Sequence, residues 1–257
     1  MKLPLITSSP HDGDSFAEFS PRIALSPWQV GEFSDKYTAV TAYHPNALGN
    51  LKSIVSRGLG SLNQSRDVEN FKVKDFRGNT IWKEGQSLTE EEKEYCFKTY
   101  WDPYHNEIKR LIKTSKQEGF DKVLLWDHHD TGDYDEKTKK RDRKQPVFDR
   151  VMPKFIVSNA DIACSGEFLK KIQAYIAREF DLKLDEVEIN TIFKGGYIMQ
   201  HYGDPKNNYG NKVVGIQIEY NRGLIMDQAT RKPYKEELKT MNLKFRKIME
   251  MSCGLLE

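Results

Sequence analysis

The sequence predicts an α/β protein built in three layers, a mainly parallel sheet between helices. Three observations carry this. Short apolar runs rich in Val, Ile and Leu recur along the chain, among them LPLITSS, KVLLWD, KFIVSN and KVVGIQIEY. Between them lie longer segments whose apolar residues fall at helical spacing. Several runs are apolar with little alternation, as strands covered on both faces are.

Taken in order, LPLITSS opens the sheet, and Ser34 before DKYTAVTAY supplies an N-cap for a helix. LKSIVSR is a second strand. Thr89, placed before three glutamates, caps a long helix on which Phe97, Trp101, Tyr104, Ile108, Leu111 and Ile112 share one face. Gly119 ends that helix. KVLLWD and KFIVSN are the next strands, followed by GEFLKKIQAYIAREF with a stripe of Phe168, Leu169, Ile172, Ile176 and Phe180. VEINTIF and KVVGIQIEY complete the strands, and Leu238, Met241, Phe245 and Ile248 mark a closing helix. Two polar stretches, residues 71–92 and the charge-alternating DYDEKTKKRDRKQP at 133–146, read as connections, the second as a solvated loop overhanging the site. No repeat or composition shift divides the chain, so residues 1–257 are read as one domain.

The charge balance limits the partners. Lys plus Arg number 40 and Asp plus Glu 38, a net charge of +2, which gives no general attraction to nucleic acid or an anionic membrane. Small molecules remain. Cys96, Cys164 and Cys253 are far apart, odd in number and outside any paired metal spacing, which points to reduced thiols. MKLPLITSS is too short an apolar run for a signal peptide, and no stretch reaches the roughly 18 apolar residues of a membrane span. The expectation is a soluble, cytoplasmic protein.

Active sites of parallel-rich sheets lie beyond the carboxyl ends of the strands. His11, in ITSSPHDGDSF, stands at such an end, although a turn of this composition is ordinary by itself. Other reactive residues occupy equivalent places. Arg57, Asn63 and Arg66 follow LKSIV, DHHD at 127–130 follows VLLW, and Glu219 and Arg222 end the run IQIEYNR. Histidines, an acid and an arginine are the parts of a metal-assisted hydrolase, in which zinc takes three N or O ligands and keeps a position open for water. Strand alternation lets only one of His128 and His129 face such a site.

The pieces PHDG, SRGLGSLN, WDHHD, FKGGYIMQHYG and IQIEYNRGLIMD resemble, in the same order, motifs of the N-formylglutamate amidohydrolase family. Those motifs read PHSG, SR followed by DLNR, DxHS, KGGYITRxYG and QxExNRxLYMD, and the matches span residues 5–227. The resemblance implies a fold like that of zinc carboxypeptidases and aspartoacylase, a three-layer arrangement with a mixed, mainly parallel sheet between helices, and metal-dependent hydrolysis of an N-acyl bond, giving formate and glutamate from N-formylglutamate. By the same resemblance His11 and His129 are metal ligands, Glu219 is the general base, and Arg57 polarises the scissile carbonyl. Asp127 orients a ligand. The third ligand is Asp14, three residues after His11, or Asp35, which matches a family aspartate; Asp14 is placed ahead. The implied cofactor is one divalent metal, Zn2+. The implied partner is a small N-acyl amino acid or peptide, contacted by Asn63, Gln64 and Arg222.

The departures bear on specificity. Ser61 and Gln64 stand where the motif DLNR has an acid and an arginine, Gln200 replaces the arginine of ITR, and Ile225 the tyrosine of LYMD. Loss of two arginines weakens any grip on a substrate carboxylate. N-formylglutamate is therefore expected to be a poor substrate, and a less acidic N-acyl compound a better one. The alternative is a binding protein that has kept the fold and lost catalysis. His11, His129, Arg57 and Glu219 weigh against it.

Overall fold

The structure is a computed structural model that describes residues 1–132, 134–135, 140–141, 153–207 and 209–256. Its strands are β1 (Leu5–Ser9), β2 (Gly49–Lys52), β3 (Lys122–Thr131), β4 (Tyr134–Asp135), β5 (Lys140–Arg141), β6 (Phe155–Ser158), β7 (Val187–Ile189) and β8 (Lys212–Asn221). The α-helices are α1 (Pro27–Glu32), α2 (Thr38–Ala42), α3 (Glu90–Cys96), α4 (Asp102–Gln117), α5 (Gly166–Glu179), α6 (Tyr197–Tyr202) and α7 (Lys235–Cys253). The main sheet runs β2-β1-β3-β8-β6-β7. Its neighbours are parallel except β6 against β8, so the sheet is mixed and mainly parallel, as expected.

Alternation along the central strands builds the layers. Leu124 and Trp126 of β3 join the core beneath α5 and α7, with Ile172, Ile176, Phe245 and Ile248. Val123 and Leu125 point the other way, into a core with Ile108, Leu111 and Ile112 of α4 and Ile198 and Met199 of α6. Both faces of the strand are covered, which explains its apolar run. A third cluster, including Phe16, Phe33, Val55, Leu59, Ile81 and Trp82, lies under the long connections between β1 and α3. Those connections carry part of the site.

Several boundaries differ from the sequence reading. The helix assigned to Ser34 starts later, at Thr38, with Tyr37 left-handed at φ 75° as its N-cap. The Ser34 hydroxyl instead donates to the Gly31 carbonyl at 3.0 Å, closing α1, which Ser26 caps. LKSIVSR keeps only its first two residues in β2, and Ile54 points outward, because Val55 turns aside to bridge Ser15. Thr89 does cap its helix, in a reciprocal box with Glu92. That helix is interrupted at Phe97–Trp101 by a π-helical turn, in which the Asp102 amide reaches back five residues to the Phe97 carbonyl. Gly119, at φ 89°, ends it. β3 is longer than KVLLWD and takes DHHD into the strand.

Of the charged stretch at 133–146, β4 and β5 form an antiparallel pair, and its other positions lie outside the described residues. Among the described residues no helix is long and apolar enough to cross a membrane.

Candidate active site

Register sets the floor of the site. On the parallel pair β3–β8, Asp127 lies beside Gln217 and His129 beside Glu219, and on β1–β3 Ser8 lies beside Asp127. Because successive side chains alternate, Asp127, His129, Gln217 and Glu219 share one face at the carboxyl ends. His128 falls on the opposite face, where its ring packs on Phe245 at 4.6 Å and its Nδ1 accepts the Trp126 indole proton at 2.9 Å. His128 is therefore the bystander of the pair.

The loop after β1 brings His11 over this floor. A side chain at Gly13 would put its Cβ 2.5 Å from the Val55 amide nitrogen, so only glycine lets this loop pack against the segment leading to Arg57. The Asp35 amide donates to the His11 carbonyl at 2.8 Å, which ties the start of the next segment to the same place. One ligand atom each from His11, Asp35 and His129 then lie within 4.8 Å of one another, all three residues buried. Asp35 Oδ2 is 3.0 Å from His129 Nδ1 and 3.4 Å from His11 Nδ1. Asp14 is not in this group. Its side chain is 45% exposed and pairs with Lys36 at 3.0 Å, because the chain between His11 and Asp14 is an irregular turn that does not put the two on one side. The carboxylate that joins the two histidines is Asp35, the alternative to Asp14 in the sequence reading.

The far nitrogens of both histidines are also engaged. His129 Nε2 donates to Asp127 Oδ2 at 3.0 Å, and Asp127 Oδ1 accepts the Ser8 hydroxyl at 2.6 Å. His11 Nε2 lies 2.8 Å from the Ser61 hydroxyl. This is how outer partners aim metal-binding imidazoles. His11 Nδ1 is buried without a hydrogen-bond partner among the described residues. An orphaned imidazole nitrogen beside a second imidazole and a carboxylate fits a borderline divalent ion such as zinc.

At His11 and Asp35 electrostatics suit the same use. Burial, helped by Arg57, lowers the His11 pKa to about 3 and keeps the ring neutral. Burial opposes the Asp35 charge, but Arg57, His11 and His129 outweigh it and hold the carboxyl well below its ordinary range. For His129, burial favours loss of the proton, yet Asp127 and Asp35 raise its pKa well above the usual value. Glu219 is pushed up to about 8 by burial, with Asp35 and Asp130 adding to the shift and His129 and Arg57 offsetting it. Its Oε1 accepts from Gln217 Nε2 at 3.1 Å.

These groups open onto a cavity of about 380 Å³, with Phe76, Ile192 and Phe193 among its apolar walls. Arg57 projects into it. Its guanidinium pairs with Asp35 and lies 5.2 Å from the Phe76 ring centre, while its Nε is buried with no partner among the described residues. The residues expected to hold substrate fare differently. Asn63 lines the cavity 3.2 Å from His129 Nε2, and its Oδ1 accepts from the Ile198 amide at 2.8 Å. Arg222 also lines it, but donates to Asp130 through Nε at 2.7 Å and to the Ser34 carbonyl at 3.2 Å, so it braces the wall instead of offering free donors. Gln64 lines an adjoining cavity. Arg66 points away, to Glu94 and Asp102 on the surface.

The N-formylglutamate amidohydrolase family model matches residues 3–226, most of the chain. The chain belongs to that family. It is 24% identical over 255 residues to an N-formylglutamate deformylase of Pseudomonas putida, covering 92% of this chain and 87% of that protein. It is 28% identical over 164 residues to an N-formylglutamate deformylase of Pseudomonas aeruginosa, covering 63% and 55%. The fold matches the crystal structure of an N-formylglutamate amidohydrolase from Ralstonia eutropha with a TM-score of 0.75 at 18% identity, over 97% of this chain and 94% of the other. In this N-formylglutamate amidohydrolase family member, two site features escaped the sequence reading. Gln217 accepts the Gly196 amide at 2.8 Å while holding Glu219, and the Q of IQIE was its signal. Asp130 partners Arg222, and only its place at the end of DHHD could have marked it.

Proposed function

We propose that this chain is a metal-dependent amidohydrolase that removes the N-formyl, or a similar small N-acyl, group from an amino acid. The observation that carries the reading is the convergence of His11, Asp35 and His129, with an orphaned His11 Nδ1, beneath Glu219 and Arg57 in one cavity. The family and the names of its Pseudomonas relatives support the bond type. His11, Asp35 and His129 would hold the ion. When bound, a divalent cation there supplies Lewis acidity to the acyl carbonyl and a positive charge that favours the Glu219 carboxylate.

The remaining work falls to side chains. Asp127, by accepting the His129 Nε2 proton, keeps Nδ1 free to ligate. Glu219 Oε2, the oxygen that Gln217 leaves free, takes a proton from the attacking water as its oxygen bonds to the acyl carbon. The same proton is then delivered to the leaving nitrogen as the C–N bond breaks, releasing formate and the free amine. Arg57 offers its unpartnered Nε to the developing oxyanion.

The test compares His129→Ala and Glu219→Gln with wild type on a panel of N-formyl amino acids. His129→Ala should lose bound zinc by elemental analysis, whereas Glu219→Gln should retain it and lose most turnover. Equal zinc in His129→Ala and wild type sinks the ligand assignment. A wild type that binds N-formyl amino acids without cleaving any would favour the binding protein instead.

A further inference from the structure

Beside the site, across Asn63, lies a second cavity of about 300 Å³. Asn63 lines both. Gln64 and Gln200 both line the second cavity, although 136 positions separate them in the sequence. Gln64 Oε1 is buried there with no hydrogen-bond partner among the described residues. Gln200 is exposed and makes one long contact, from Nε2 to the Gly195 carbonyl at 3.4 Å.

The charges lining this cavity disfavour an anion. Asp67 and Glu69 contribute carboxylates, and Lys72, the one cation of the lining among the described residues, donates to the Glu69 carbonyl at 3.3 Å. A carboxylate entering would offer only acceptors and meet net negative charge. A carboxamide offers one acceptor and two donors, and pairs with a glutamine side chain in both senses. We propose that this cavity is a subsite for a neutral carboxamide of the substrate, recognised by Gln64 and Gln200. The inference rests on the amidohydrolase reading of the adjoining site. A carboxamide can come from a glutamine side chain or from the amidated carboxyl end of an amino acid or peptide, and the test separates the two.

Binding is measured by calorimetry on the metal-loaded Glu219→Gln protein, which should not turn the ligands over. The ligands are N-formyl-L-glutamine, N-formyl-L-isoglutamine and N-formyl-L-glutamate. One of the two carboxamides should bind at least about tenfold tighter than N-formyl-L-glutamate. Preference for glutamine assigns the side chain, and for isoglutamine the main-chain amide. Gln200→Arg, at an exposed position, and Gln64→Arg, checked for folding by circular dichroism, should each shift the ratio toward N-formyl-L-glutamate. N-formyl-L-glutamate binding as well as or better than both carboxamides, or no binding by any of the three, overturns the subsite. Wild-type turnover of all three without a carboxamide preference would also overturn it while upholding the hydrolase. Carboxamide-selective binding with no wild-type turnover of any N-formyl amino acid would uphold the subsite and sink the hydrolase.

Discussion

His105 sits on α4 with no exposed surface, its ring stacked 3.8 Å from that of Trp101. Its Nε2 lies 3.0 Å from the Leu62 carbonyl, which can only accept, so Nε2 carries the proton and Nδ1 accepts the Tyr202 hydroxyl at 2.9 Å. Burial lowers its pKa to about 3, against 6.5 for a free histidine. The unfolded chain therefore takes up a proton that the folded one refuses. Stability from this residue is complete above the unfolded value and is lost as the pH falls from 6.5 toward about 3. At pH 5 the loss comes to about 2 kcal/mol. His105→Phe keeps an aromatic ring and removes the titration. Near pH 7.5 it should cost about 1 to 3 kcal/mol, because the buried Leu62 carbonyl loses its donor. Between pH 7.5 and 5, however, it should lose about 2 kcal/mol less than wild type. Urea unfolding at the two pH values measures this, and His11 and His128, which burial also holds near 3, contribute to both proteins alike. Parallel losses in the two proteins would refute the claim that His105 stays neutral.

Three further predictions concern the site. Asp35→Asn should abolish zinc retention in elemental analysis while Asp14→Asn keeps it; the opposite pattern would return the third-ligand role to Asp14. Ser61→Asp places a carboxylate against His11 Nε2 and should tighten zinc about tenfold in competition with a chelator. Weaker or unchanged affinity would mean that Ser61 does not act on His11. Gly196→Ala would put its Cβ 2.2 Å from Asn63 Nδ2 and should lower kcat/KM at least about tenfold, whereas Gly166→Ala, with open space around its Cβ, should change little. Similar rates in the two variants would show that Asn63 need not stay in place.

Most of this architecture could be read from residue order, since the strands are apolar runs and the long helices carry clear stripes and caps. What could not be read was the path between β1 and α3. There the chain uses single-bridge contacts, short turns and a separate aromatic cluster, none of which has a period. That is why Ser34 looked like a cap and LKSIVSR like a full strand. The carboxylate that joins His11 and His129 was hard to read for a related reason. Asp14 has a suggestive spacing from His11, but spacing places two side chains together only when the backbone between them is regular, and here it is a turn. Asp35 is 24 positions from His11 and reaches it through a backbone hydrogen bond that no sequence pattern announces. For His128 and His129, by contrast, strand alternation allowed only one to face the site, and the spacing of the DxH motif in the family it resembles selected His129.

The departures at SLNQ look different once the loop is seen in place. Asn70 holds the Ser61 amide and carbonyl, the Trp101 indole donates to the Gln64 carbonyl at 3.0 Å, His105 holds the Leu62 carbonyl, and the Tyr197 amide donates to the Asn63 carbonyl at 3.3 Å. Each of these bonds uses the backbone of the loop, and the Ser61 hydroxyl adds one more by accepting the Asn63 amide at 3.2 Å, a bond that an acid at the same position could also make. The π-helical turn that ends at Trp101 sits at the base of this support, one helical turn before His105. A serine and a glutamine can therefore stand at these two positions without moving Asn63 or the cavity walls. A site drifting toward inactivity would be free to lose such anchors, because nothing would select for the exact position of Asn63. Their presence together makes the substitutions a change of charge within a preserved shape, which fits altered substrate choice better than lost catalysis.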